Sequence, residues 1–320
     1  MHVLRKTNRT TLATIALTLA FSSLVLFGPL RVQAAGPSSL DTYAPMDVIQ
    51  DGQGGYPQAV ALDASGNIYL ANNDYNSPPQ DDEFSDISKY SLTSTATALA
   101  TWGTYGSDTV DPEFFWPGSI AIDSTGRIIV VDTGNDRIVI LASNGTVDTV
   151  FGSSGSGAGQ FTYPVGVGVD SSDNIYVADD YGVQKFTSSG GWDSRWTIGG
   201  YPDEIAIDGS DNVYVAQFDM IEKYSSSGTL LNTIDTFTDE YGASPIMVTV
   251  AGIAVDSEDT LYAYDGDGSC IYRFADDGTF IQTIDSRMDP DIDLGFGEDI
   301  AVDADGNLYV ADSENDCVTV

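Results

Sequence analysis

Pro117-Gly-Ser-Ile-Ala-Ile-Asp123, Ser124-Thr-Gly-Arg127, Ile128-Ile-Val-Val-Asp132: an apolar run ends in Asp, turns within four residues, and re-enters a second apolar run. The pattern recurs six times, with Asp63, Asp123, Asp170, Asp208, Asp256 and Asp303 closing the first run of each copy. Successive members of this series stand 60, 47, 38, 48 and 47 residues apart. A unit of about 40–45 residues built from short strands is the spacing of a propeller blade. Two-residue alternation, with turn residues every ~8–12 positions, makes the chain all-β.

Each copy reads as four strands. The second strand ends at Asn72, Asp132, Asp179, Gln217, Asp265 or Asp312. A third strand follows, such as Ile221-Glu-Lys-Tyr224, and a Gly-containing turn leads to a fourth, such as Leu230-Leu-Asn-Thr-Ile234. The sixth copy reaches only its third strand, and Met46-Asp-Val-Ile-Gln50 resembles the missing one. The expected fold is a six-bladed β-propeller of four-stranded antiparallel blades, closed by an N-terminal strand that completes the last blade and removes its open edge. The rival expectation is a last blade left imperfect.

Arg5, Lys6 and Arg9 precede an uncharged stretch over residues 11–30, and Val32-Gln-Ala34 supplies a small-residue cleavage pattern. Residues 1–34 therefore read as a signal peptide, with an uncleaved anchor as the alternative. Residues 35–45 form a linker and residues 46–320 the propeller, in a secreted or cell-envelope protein. The chain carries 48 Asp and Glu against 12 Lys and Arg, a formal charge of −36. That balance argues against nucleic acid and anionic lipid as partners. A monomer is expected, with no membrane contact beyond the anchor alternative.

These residues resemble the NHL-repeat family of β-propellers, most closely from Pro117-Gly118 through Asp123 and Asp132 to Asn135-Asp-Arg-Ile138. The resemblance spans residues 46–320 and implies the fold more than an activity. Some propeller lyases that resemble this fold rely on histidine, yet the only histidine here is His2, inside the leader. Ser-His-Asp and Cys-His catalysis and His-ligated zinc are thereby excluded from the mature chain.

Carboxylates remain as candidates. The second-strand ends and first-strand starts lie on one rim, so Asp132, Asp265, Glu298 and Asp203 are expected around an acidic channel mouth. Glu204, Asp299, Asp179 and Asp312 are the candidate metal ligands, and Ca²⁺, which prefers hard oxygen donors, is the one cofactor expected. The alternative is that each strand-ending Asp simply bonds the loop that follows it. Asp265-Gly-Asp-Gly268 is half of a calcium loop and lacks the downstream Glu. Cys270 and Cys317 occupy one repeat slot, and a disulfide between them is left open. Lys89, Lys185, Lys223 and Arg273 share one slot and are expected to pack between strands, as are Tyr69, Tyr176, Tyr214, Tyr262 and Tyr309.

Two functions follow. The favoured one is an exported, non-enzymatic scaffold binding a protein, peptide or glycan through its rim loops, with Ca²⁺ as a stabiliser. The other is a metal-dependent hydrolase resembling the gluconolactonase-like propellers, with a carboxylate-bound divalent cation in the channel. A purely structural envelope protein is a weaker third reading.

Overall fold

A computed structural model describes residues 48–50, 56–73, 85–91, 98–109, 111–239, 247, 249–266, 268–288, 292, 294, 297–313 and 317–319. The leader and most of the acidic loop 74–86 lie outside the described residues. No helix among the described residues is long and apolar enough to cross a membrane.

The strands form antiparallel four-stranded sheets, plus one short parallel pair, Thr104–Tyr105 with Glu113–Phe114. The expected count of six blades is corrected to five that are complete in themselves. Blades I to V occupy residues 56–102, 117–151, 166–196, 202–234 and 250–284, each from four consecutive strands. The last repeat supplies only three strands, Gly297–Val302, Leu308–Asp312 and Cys317–Thr319, and so makes no blade alone. Val48–Gln50 adds the fourth, with Ile49 opposite Val318, to give a composite closing sheet. The reason is the edge: an unpaired outer strand exposes a row of backbone donors and acceptors.

The first strand of each sheet lies innermost, and the composite sheet returns against blade I. Apolar side chains fill every gap between neighbours. Tyr176 and Ala178 of blade III pack on Ile205, Val213 and Val215 of blade IV. Val60, Ile68 and Leu70 of blade I pack on Tyr309, Ala311 and Val318 of the closing sheet. A four-stranded sheet has two apolar faces and buries both only between neighbours.

The repeated Asp is a clasp at the rim opposite the mouth. Asp170 Oδ1 accepts the Ser172 and Asn174 amides at 3.0 and 2.8 Å, while Oδ2 accepts the Tyr176 hydroxyl at 3.1 Å. Lys185 lies 3.4 Å from the same oxygen and 4.8 Å above the Tyr176 ring. Asp63 repeats the arrangement with Tyr69 and Lys89. Lys223 contacts Asp208 at 2.8 Å and stacks on Tyr214, and Arg273 lies over Tyr262. The shared Lys/Arg and Tyr slots are therefore structural. Burial alone would raise the Asp170 pKa, but hydrogen bonds from Asn174, Ser172 and Tyr176 outweigh it and hold the carboxyl below its ordinary value.

Replacing this acid strands two turn amides and a buried hydroxyl. Asp170→Ala is expected to cost roughly 2–4 kcal/mol in urea unfolding. Because the folded-state pKa is lowered, the contribution is whole above about pH 4 and fades as pH falls through the folded value. The deficit of the variant should therefore shrink in acid.

Candidate functional site

A funnel of about 330 Å³ opens on the axis at the rim where the innermost strands begin. Its upper tier is one slot of the repeat: Gln58, Gly118, Val165, Asp203, Ala251 and Glu298. A β-bulge makes this tier. Pairing skips from Pro57 to Ala59, Pro117 to Ser119, Pro202 to Glu204, Val250 to Gly252 and Gly297 to Asp299. In a regular strand adjacent side chains point to opposite faces, whereas a bulge re-aims one of them.

The next slot forms a lower tier of Ala59, Ser119, Gly166, Glu204, Gly252 and Asp299. Polar and minimal residues alternate around the axis. Ser119 Oγ donates to Glu204 Oε1 at 3.3 Å and accepts the Val167 amide at 3.3 Å. Glu204 Oε1 also accepts the Ile205 amide at 2.8 Å. Asp299 accepts two amides, Val60 at 2.9 Å on Oδ2 and Ile300 at 2.7 Å on Oδ1. The glycines make room: a Cβ on Gly166 would stand 2.9 Å from the Glu204 Cα, and one on Gly252 would stand 2.7 Å from the Asp299 Cα.

Both axial acids are buried. Burial, and then the charge of Asp299, push Glu204 well above the ordinary glutamate value. Burial lifts Asp299 to about 7 despite its two amide donors. Asp203 is raised by desolvation in the funnel.

The structure thus brings Glu204, Asp299, Asp203 and Glu298 to the axis and takes the second-strand ends elsewhere. Asp132 accepts the Phe115 amide at 2.7 Å, Asn135 at 2.8 Å and Arg137 Nε at 2.6 Å. Asp179 pairs with Arg195 at 3.0 Å and accepts the Tyr181 amide at 3.0 Å. Asp265 accepts the Gly268 amide at 3.0 Å, and Asp267 lies outside the described residues. Asp312 is buried at its strand end, opposite Gly297 and Cys317. Glu298 accepts the Ser313 hydroxyl at 2.8 Å. Among the described residues no group of three Asp, Glu, Cys or His side chains is arranged to hold a metal ion. The four candidate ligands therefore do not form one set. Cys270 is a free, buried thiol, raised to about 12 by burial, and the side chain of Cys317, its candidate partner, lies outside the described residues.

Sequence reasoning missed the aromatic collar. Tyr56-Pro57, Trp116-Pro117, Tyr163-Pro164 and Tyr201-Pro202 repeat one dipeptide just above the bulge, and that recurrence was the available signal. Trp116 and Tyr163 line the funnel. Both hold left-handed backbone, with φ of 54° and 52°, which is costly for a bulky residue. Tyr201 is 76% exposed. Thr133, also in the wall, was missed as well.

The geometry defines a β-propeller with an acidic, aromatic-collared axial funnel. The NHL-repeat family model matches residues 114–141 and 298–320, the second repeat and the last, so these two stretches are similar to NHL repeats within a β-propeller. No curated protein matches it by sequence. Solved structures that resemble it include a Bacteroides thetaiotaomicron protein of unknown function, with TM-score 0.63, 15% identity, and coverage of 85% of this chain and 71% of that one. A gluconolactonase from Xanthomonas campestris gives TM-score 0.60 and 15% identity over 87% and 88% of the two chains. A catalytically inactive histidine-to-alanine variant of Staphylococcus aureus virginiamycin B lyase, with quinupristin, gives 0.57 and 14% over 83% and 81%. At such identities the similarity is one of fold.

The raised axial pair has a pH signature of its own. Between about pH 4 and 7 the folded chain keeps a proton there that the unfolded chain has lost, so this pair's contribution to stability falls as pH rises across that window. Glu204→Gln keeps an acceptor for Ser119 and Ile205 and removes the repulsion. Its melting temperature should exceed that of the parent at pH 8, by about 2–4 °C per kcal/mol relieved, and match it near pH 4. Gly252→Ala forces a Cβ against backbone and should cost about 1–3 kcal/mol in urea unfolding.

Proposed function

We propose that the chain is an exported, non-enzymatic propeller scaffold that binds a protein, peptide or glycan partner across the rim face carrying the funnel. One observation carries this reading: the axial acids spend their oxygens on Ser119 and main-chain amides, with Asp299 engaged on both oxygens. A metal-assisted hydrolase needs a focused ligand set with an open coordination position. A rigid frame with aromatic side chains standing clear on one rim is what a binding face needs. Export follows from the leader pattern in residues 1–34.

The hydrolase reading has one point in its favour, a carboxyl near pKa 7 beneath a funnel, since general acid–base work at neutral pH calls for such a group. A screen of sugar lactones with Ca²⁺, Mn²⁺ or Zn²⁺ decides between the two. No turnover, and no rise in melting temperature with Ca²⁺, is the expected result. Metal-dependent turnover that disappears in Glu204→Gln would establish the hydrolase instead.

A further inference from the structure

Several acids of this chain are matched by a basic side chain, whereas the funnel has none among its described lining residues. Asp132 has Arg137, Asp179 has Arg195, Asp208 has Lys223 and Asp285 has Arg287. No Lys or Arg is among the described residues lining the funnel, although Asp203, Glu204 and Glu298 all do. A half-enclosed cavity of low dielectric focuses the field of its carboxylates, and a cation entering it gains more than one on open surface.

A second observation points to a ligand independently. Thr133 Oγ1 is buried in the wall of this funnel, the residue 6% exposed, and has no hydrogen-bond partner. It stands 2.6 Å from where a Cβ on Gly118 would lie, so glycine at this slot of the tier leaves room for that hydroxyl beside the funnel. Leaving a buried polar atom unsatisfied is costly, and such atoms are uncommon in folded chains.

The collar adds a third element. Trp116 and Tyr163 line the entrance in costly left-handed backbone, and Tyr201 belongs to the same repeat slot. Phe218, in the turn after Gln217, is 62% exposed on the same rim. Aromatic faces above carboxylates suit a guanidinium, whose planar cation stacks on rings while its N–H groups reach acceptors.

We infer that the funnel is a receptor for an arginine side chain of a partner peptide: the guanidinium enters between Trp116 and Tyr163, pairs with Asp203 and Glu298, and gives Thr133 Oγ1 the partner it lacks. The inference rests on the scaffold reading and names its ligand class. Lactone turnover tests that reading separately, so a chain with neither turnover nor arginine binding fails here alone.

The probe is a blocked nine-residue Gly/Ser peptide with one central arginine, titrated by calorimetry and by the tryptophan fluorescence that Trp116→Phe removes, against its citrulline counterpart and against maltohexaose. Binding of the arginine peptide, with at least tenfold weaker binding of the citrulline peptide, is expected. Asp203→Asn combined with Glu298→Gln should weaken the arginine peptide about tenfold or more. An equal charge change away from the mouth, Asp193→Asn with Asp277→Asn, should alter it less than twofold.

Thr133→Val separates ligand binding from folding. Removing an unpartnered hydroxyl should leave the melting temperature unchanged or higher and still weaken the arginine peptide severalfold. Equal loss in the mouth and control double variants would overturn the inference in favour of diffuse charge attraction. Saturable maltohexaose binding with no arginine preference would overturn it in favour of a glycan site. No binding of any probe by a folded chain also overturns it.

Discussion

A four-stranded sheet with two apolar faces has no stable solitary state, and this constraint governs the molecule. Each sheet buries its faces only against the next, so the arrangement must return on itself or leave two apolar faces in water. The closing sheet is where that demand is met. It borrows Val48–Gln50 from the other end of the chain, and Val318 of its third strand packs with Val60, Ile68 and Leu70 of blade I. Contacts between neighbours are individually ordinary, but closure couples them, because no sheet can leave without uncovering two others.

How far this was legible in the sequence depends on whether the signal was local and repeated. The clasp aspartates recur with turn amides at two and four residues as partners, an arrangement a strand–turn–strand hairpin satisfies, and so the repeated sheet could be read directly, whereas the count of six could not, because the last repeat is one strand short of a blade. The turn also varies in a way the repeat conceals. Gly66, Gly126 and Gly306 hold the left-handed position in three copies, whereas Asp173, Asp211 and Asp259 hold it in the others. Those three acids bond the preceding blade's turn, as Asp211 does to the Ser171 amide at 2.8 Å. Backbone strain at these residues is offset by a staple between blades, a contact that no single repeat reveals.

The mouth was half legible for a related reason. Alternation assigns neighbouring residues to opposite faces, so it would send only one of Asp203 and Glu204, and one of Glu298 and Asp299, to the axis. The bulge brings both, and a bulge depends on pairing register rather than on residue type. Asp132 and Asp179 were misplaced by the converse error. Lying on the correct rim does not decide direction, and each is turned away by an arginine from its own blade, Arg137 and Arg195.

This chain is strongly acidic, yet its acids do different work according to what surrounds them. On the clasp rim they accept amides and hydroxyls and are held ionised, as at Asp170. At two second-strand ends, Asp132 and Asp179, they meet arginine. On the axis, burial and a neighbouring carboxylate, Asp299 for Glu204 and Glu298 for Asp299, hold both acids toward their neutral forms. At the funnel mouth Asp203 and Glu298 line a cavity with no Lys or Arg among its described lining residues. The propeller frame, similar in fold to lyase and gluconolactonase structures, specifies none of this, since the frame is set by clasps and closure and the mouth by the bulge slots. Function in this chain must then be argued from those slots, where an uncompensated charge, an orphaned hydroxyl and strained aromatic side chains coincide.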